Sequence, residues 1–346
     1  MEASASELGR LPYPILIADI GGTNARFAIL KDSMSDPAEF PTAGTAGFSS
    51  LEEAIQNVVL DKTSVHPRSA ILAVAGPVSS DEIELTNHGW HFLAPDLLNR
   101  LRLEELVVIN DFEAQALAVT ALQPEDMEQI GGGDGENGAA RAVLGPGTGL
   151  GVAGLVRVKG VWVPVAGEGG HVDIGPRTDR EAAILAQLAP AGTRISAEEV
   201  LSGRGLANLY AAVAKADGAL AARITPAEVS AGALSGSDSV AKEALSVFVT
   251  LLGRLAGDMA LIFMASGGVF LTGGIAAKIL PALRTGALRE AFENKDPHSQ
   301  FLAQIPIKVV THPTAALVGL AAFAREPGNF GIQTGRRRWR AGMDNR

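Results

Sequence analysis

The sequence predicts two α/β domains, and three observations lead there. The chain has 346 residues, 47% of them apolar, which is enough for two packed cores. Short apolar runs of strand length alternate with stretches of helical spacing along most of the chain. A strand-turn-strand unit built on Gly and Thr occurs twice, at residues 15–30 and again from residue 142.

The first unit reads ILIADIGGTNARFAIL. An apolar run reaches Asp19, turns through Gly21, Gly22 and Thr23, passes Asn24 and resumes as a second apolar run. Paired glycines let backbone approach a bulky anion, and the N–H groups of such a turn, with the Thr23 hydroxyl, can hold phosphate oxygens. Asp19, at a strand end, is placed to hold the Mg²⁺ that accompanies a nucleotide. A plain glycine-turn hairpin explains GGTN alone equally well. Gly21 and Gly22 make no GxGxxG, and no Lys follows as in a P-loop. The second unit, AVLGPGTGLGVAGLV, repeats the design around Gly147, Thr148 and Gly149. Two such turns suggest two phosphate-gripping loops.

Composition narrows the function. A net charge of −9 and a pI near 5.3, with no basic stripe before the tail, argue against nucleic acid and for a small-molecule enzyme. The absence of cysteine excludes disulfides, thiolate nucleophiles and Cys-zinc sites, and suits the cytoplasm. Residues 1–13 have no apolar core of signal-peptide length and read as a flexible arm. The longest uncharged run, 259–277, is broken by Gly267-Gly268 and Gly273-Gly274 and reads as helix end, buried strand and turn, not as a membrane span.

The remaining elements follow in order. Residues 50–60 have helical spacing, and 70–75 form a buried strand ending at Gly76-Pro77. His88 and His91 are spaced like a metal pair but lack a third ligand nearby. The strand 106–109 ends in Asn110-Asp111 before a helix over 112–119. Asn or Asp at that junction is first a helix cap. The same position, at the carboxyl end of a strand, suits a carboxylate that takes a proton from an attacking hydroxyl. GGGDGENG, 131–138, reads as a loop that cannot pack and is mobile. Glu168 and His171, separated by glycines, lie on a turn and not on one helical face, which disfavours zinc. Ser196 and Glu199 fit a capping box, leaving Glu198 over. Leu245, Phe248, Leu252, Leu255, Met259 and Ile262 form the core stripe of a long helix, and Gly253 and Gly257 admit a close neighbour. Gly273 and Gly274 follow another strand, where nucleotide could lie on bare backbone, although a tight turn explains them about as well. A strand over 307–311 and a small-residue helix over 315–324 come next, and residues 331–346, with Arg336, Arg337, Arg338 and Arg340, read as a flexible basic tail.

Asp19-Ile20-Gly21-Gly22-Thr23-Asn24 together with Gly147-Thr148-Gly149-Leu150-Gly151 resembles the bacterial glucokinase family of the actin and hexokinase-like (ribonuclease H-like) fold, cysteine-free and of the non-zinc type. Thr86-Asn87-His88 with Trp90, and Ser196-Ala197-Glu198 followed by Val200-Leu201-Ser202-Gly203, match further family positions. The family carries Asn-Pro-Gly where this chain has Pro313-Thr314-Ala315. The resemblance implies two domains flanking a cleft, a small one over 14–121 plus 312–330 and a large one over 122–311. It implies transfer of the ATP γ-phosphoryl to glucose in glycolysis, with ATP and Mg²⁺ as cofactors. Asp111 would be the base. Asn110, Glu168, His171 and Glu198 would bind sugar, and Glu198 at a helix start would be favoured as a carboxylate. Asp19, Gly21, Gly22, Thr23, Asn24, Gly147, Thr148, Gly149, Gly273 and Gly274 would hold nucleotide and metal. The expected partners are glucose and ATP, with no nucleic acid and no membrane, and a homodimer is compatible with the sequence. The alternatives are a kinase for mannose, fructose or an amino sugar, and a non-catalytic sugar-sensing regulator.

Overall fold

The computed structural model describes residues 9–85, 89–190, 192–335 and 337–342. The chain forms two compact units. One takes the chain up to Leu122, the stretch Leu155–Ala166 and everything from Thr314 on; the other takes Gln123–Gly154 and Gly167–Pro313. The stretch Leu155–Ala166 therefore does not belong with the large domain expected over 122–311. It lies on the unit 1 side because Trp162 bridges Phe330 and its carbonyl accepts from the Gly331 N–H at 2.8 Å.

Unit 1 is built on a seven-stranded sheet. Its centre, Ile15–Ile20, is buried at every residue and runs parallel to Ser69–Val74, which in turn runs parallel to Glu105–Asn110. Apolar runs of this kind are what a strand covered on both faces requires. The alternation of side chains assigns Leu16, Ala18 and Ile20 to one core with Leu51, Ile55 and Trp90, and Ile15 and Ile17 to the other with Leu117, Leu320 and Phe323. The helix Ala315–Arg325 covers that second face and touches Asp111–Ala118 closely. A Cβ on Gly319 would come within 2.2 Å of the Ala114 carbonyl oxygen and 2.6 Å of the Ala118 nitrogen. Gly319→Ala, which in an exposed helix would stabilise, is therefore expected to cost about 1–3 kcal/mol here, read as a lower midpoint of chemical denaturation. An unchanged or raised midpoint would refute the contact.

The C-terminal segment departs from the flexible basic tail expected over 331–346. Arg338–Arg340 is a strand that pairs antiparallel with Glu105–Asn110 at the edge of the sheet. Trp339 is 3% exposed, joins the Leu97–Leu106 core and donates from Nε1 to Asp81 Oδ1 at 2.7 Å. Arg338 and Arg340 both pair with Glu105. The arginines are spaced by an inward-facing Trp, which is the period of a strand, and each described one has a carboxylate partner on its own unit. Arg336 lies outside the described residues, as do Thr86, Asn87 and His88.

Within unit 2 the strands Arg141–Pro146, Val269–Leu271, Ile307–Val310 and Met127–Gln129 are hydrogen-bonded neighbours in that order. The 24-residue helix Ser239–Ile262 is apolar and long enough to span a membrane, yet two thirds of its most apolar window is buried in this unit, so it is a core helix. Leu245, Phe248, Leu252, Leu255 and Met259 are buried as the spacing predicts, whereas Ile262 is exposed. Gly253 and Gly257 admit Ala287–Glu293: added Cβ atoms would sit 2.4 Å and 2.6 Å from the carbonyl oxygens of Leu288 and Phe292. The glycines of 131–138 also serve packing, contrary to expectation. A Cβ on Gly132, at φ +80°, would meet the Ile305 carbonyl oxygen at 2.3 Å, and the Glu136 N–H donates to Ser266. Bare backbone is what lets this loop lie flat on its neighbours.

Candidate active site

In unit 1 the parallel register decides which residues meet. Ile20 pairs with Val74 and Val74 with Asn110, so the end of the Asp19 strand and the Asn110-Asp111 corner share one carboxyl edge, about 10 Å apart across two strand spacings. The first hairpin closes with the Gly21 N–H donating to the Asn24 carbonyl at 3.0 Å. Thr45, buried and unnoticed in the sequence, fixes the turn. Its hydroxyl donates to the Gly22 carbonyl at 3.2 Å and its N–H to the Thr23 carbonyl at 3.0 Å. Thr23 and Asn24 remain exposed at the tip.

Asp19 is buried, and desolvation pushes its carboxyl above the usual carboxylate range while Arg26, whose Nη1 donates to Oδ2 at 3.1 Å, works against that shift. A divalent cation at Oδ1 would act in the same direction as Arg26. Mg²⁺ binds through one or two carboxylates, water and phosphates, so this single Asp suits it although the described residues hold no cluster of three metal-ligating side chains.

Asn110 caps the helix Asp111–Ala118. Its Oδ1 accepts from the Phe112 N–H at 2.9 Å and its Nδ2 donates to the Gly76 carbonyl at 3.2 Å. Glu113 completes a capping box by accepting the Asn110 N–H at 2.9 Å. The cap and the site reading thus describe the same residue. Asp111, half-buried at the first helical position, accepts from the Phe112 N–H at 3.0 Å.

In unit 2 the second site assembles around Leu150. Its N–H donates to Glu198 Oε2 at 3.0 Å, and a Cβ on Gly149 would meet the same oxygen at 2.6 Å. Its carbonyl lies where a Cβ on Gly170 would come within 1.9 Å, so only glycine lets the Glu168–His171 turn close down on this strand. Glu168 and His171 are exposed, with Oε2 and Nδ1 3.7 Å apart. The turn is pinned further by the Ala197 N–H donating to the Val172 carbonyl at 2.8 Å and by Arg194, which reaches the His171 carbonyl at 3.0 Å and Asp173 at 2.7 Å.

Ser196 and Glu199 form the expected capping box, and the Ser196 N–H and hydroxyl hold the Glu199 carboxyl below its ordinary range. Ala197–Val200 is a single turn, so the dipole it offers Glu198 is small and the Leu150 N–H is the stronger anchor. The Gly147 carbonyl accepts from Gly203 at 2.8 Å, at the start of the helix Gly203–Ala216. Gly273, at φ +85°, lies where a Cβ would meet the Pro146 carbonyl oxygen at 2.8 Å. Because Arg141–Pro146 and Val269–Leu271 are parallel neighbours, the turns at Gly147–Gly149 and Gly273-Gly274 share one sheet edge.

A glucokinase family model matches residues 16–327. The chain belongs to the glucokinase family. It is 59% identical to a glucokinase of Mesorhizobium japonicum over 96% of this chain and 97% of that protein, and 56% identical to one of a Chelativorans species over 95% and 96%. Among solved structures, a glucokinase from an Antarctic psychrotroph is 36% identical with a TM-score of 0.79, covering 90% of this chain and 99% of that one. The glucokinase of Balamuthia mandrillaris, at 22% identity and a TM-score of 0.75, shares the fold. The fold is thus the actin and hexokinase-like one. The glucokinase family match stops ten residues short of Arg337, so the edge strand that the sequence left as tail lies beyond it.

Proposed function

We propose that the protein is a glucokinase that transfers the γ-phosphoryl group of ATP to the 6-hydroxyl of glucose. Asp111 takes the hydroxyl proton as the sugar oxygen attacks phosphorus; the new O–P bond forms, the bond to the β-phosphate oxygen breaks and ADP leaves. Asn110, Glu168, His171 and Glu198 accept and donate to the sugar hydroxyls. The turns at Gly21, Gly22, Thr23, Asn24, Gly147, Thr148 and Gly149 hold phosphates through backbone N–H groups, and Gly273 and Gly274 leave room for the nucleoside. Asp19 would hold Mg²⁺, which would supply positive charge against the phosphates. The reaction belongs to glycolysis in the cytoplasm, without nucleic acid or membrane.

The observation that carries this reading is the register of the unit 1 sheet, which sets the acidic corner Asn110-Asp111 and the glycine turn beside Asp19 on one carboxyl edge. Positioning and charge neutralisation, not covalent chemistry, then supply most of the rate. Glu198, bonded to the backbone of the second phosphate turn, ties sugar binding to that turn within unit 2.

The test is a coupled assay for hexose phosphate formation from glucose, mannose, fructose and glucosamine, with ATP, other nucleotides and polyphosphate as donors. Glucose with ATP is expected to give a kcat/KM at least about tenfold above every other pair, a difference of ~1.4 kcal/mol in transition-state binding. Equal or greater activity with another hexose would move the assignment to that sugar, and no hexose phosphate from any pair would leave the sugar-sensing reading.

A further inference from the structure

The corner that carries Asn110 and Asp111 is held from behind by a residue far away in sequence. Arg337 Nη1 donates to both carboxylate oxygens of Glu113, at 2.9 and 2.7 Å, and Glu113 is the capping-box residue that accepts the Asn110 N–H. Arg337 Nε donates to the Val78 carbonyl at 3.2 Å. Val78 follows the Gly76-Pro77 turn, and the Gly76 carbonyl accepts from the Asn110 side chain. The Arg337 carbonyl accepts from the Val108 N–H at 3.0 Å, on the strand that ends in Asn110. One side chain and its own backbone therefore join three elements at the sheet edge: the turn after Ser69–Val74, the end of Glu105–Asn110 and the start of Asp111–Ala118. The Glu113 side chain is 6% exposed, so its charge has no alternative partner in solvent.

We propose that Arg337 is a positioning residue for phosphoryl transfer, fixing Asn110 and Asp111 against the sugar through Glu113 and the Val78 carbonyl. The proposal rests on the reading above, in which Asn110 binds sugar and Asp111 is the base. A near-attack geometry tolerates little displacement, and a shift of about 1 Å can cost on the order of a hundredfold in rate. A guanidinium is suited to this place because its rigid plane sets Nη1 on the carboxylate and Nε on the carbonyl in fixed directions, which the single nitrogen of an ammonium does not. The docking of Arg338–Arg340 on the sheet edge brings Arg337 there, so the C-terminal segment acts as part of the catalytic scaffold.

Two variants test this in the full-length protein. Arg337→Lys keeps the charge and loses the fork. The pair Glu113→Gln with Arg337→Met removes both charges and keeps a side chain that can complete the capping box. Both are expected to keep a denaturation midpoint near that of the parent and to lower kcat/KM for glucose by about tenfold or more, with KM for ATP changed less than about twofold. That selectivity for the sugar side is what a purely structural contact would not produce.

The proposal is overturned if the folded neutral pair keeps kcat/KM for glucose within about threefold of the parent, if KM for ATP rises by more than about twofold, or if the neutral pair does not fold. Asp111→Asn run alongside separates the two readings. If it stays active, the assignment of the base fails whatever Arg337 does. If it is inactive while the Arg337 variants are normal, only the positioning role fails.

Discussion

Asp111→Asn is expected to lower kcat for glucose by about a hundredfold to ten-thousandfold, the range general-base catalysis contributes, while KM for glucose moves little. Asn occupies the same volume and still offers an oxygen to the Phe112 N–H, which Asp111 Oδ1 accepts at 3.0 Å. The helix cap is untouched, because Asn110 and Glu113 supply it. What the substitution removes is the ability to accept a proton from the attacking hydroxyl. Steady-state kinetics on purified protein decide the matter: turnover within about tenfold of the parent, or ~1.4 kcal/mol in the barrier, would mean that Asp111 is not the base.

Arg254→Ala is expected to cost about 3–5 kcal/mol of stability, the largest effect foreseen for any residue outside the site. Arg254 lies on the core helix Ser239–Ile262 and meets Glu181 in a two-pronged pair at 2.8 and 2.5 Å, both side chains nearly inaccessible. Glu181 Oε2 also accepts the Arg177 N–H at 2.7 Å. Removing the guanidinium leaves a buried carboxylate with too few donors, whereas solvent repays nothing at that depth.

The pair also sets a pH dependence. Burial works to raise the Glu181 carboxyl, but hydrogen bonds from Arg254 and the Arg177 N–H, and the charge of Arg254, outweigh it and the net shift is downward. A carboxylate with a folded pKa below its unfolded value contributes stability that is fully present above the unfolded value, about 4.3, and is lost as pH falls through the folded one. The deficit of Arg254→Ala is therefore expected to be full at pH 7 and to shrink below about pH 4. Denaturant unfolding at both pH values measures this; a deficit under about 1 kcal/mol, or one that does not change with pH, would sink the argument.

Much of the candidate site was legible because its signals are local. The Ser196–Glu199 box spans four consecutive residues, and its detection isolated Glu198 as the acid that capping does not need. Asn110 with Glu113 has the same spacing and could have been read the same way, which would have exposed Glu113 as part of the corner. Both glycine hairpins show in the sequence because a strand, a turn and a strand need only sixteen or so adjacent residues to declare themselves.

The contacts that lock the site in place had no such signal. Thr45 on the first turn, Glu198 on the Leu150 N–H and Arg337 on Glu113 each join positions remote in sequence. A run of arginines reads as a solvated tail unless one knows that the strand beside it begins with Glu105, which takes two of them. The glycines over 131–138 are ambiguous for a related reason: glycine marks both chain that floats and chain that must pass close to other backbone, and only the neighbours tell them apart.

The sequence by itself determined the α/β class, the two glycine turns, the acid at the end of the strand Glu105–Asn110 and the family to which these belong. Periodicity and capping are short-range and survive in one dimension. Only the tertiary structure decided which strand edge gathers Asp19 with Asn110, that Leu150 is the pivot for Glu198 and the Glu168–His171 turn, and that the last strand closes the sheet behind the acid. Those are choices of register and of partner, made by burying one particular face against another, and no local pattern encodes them.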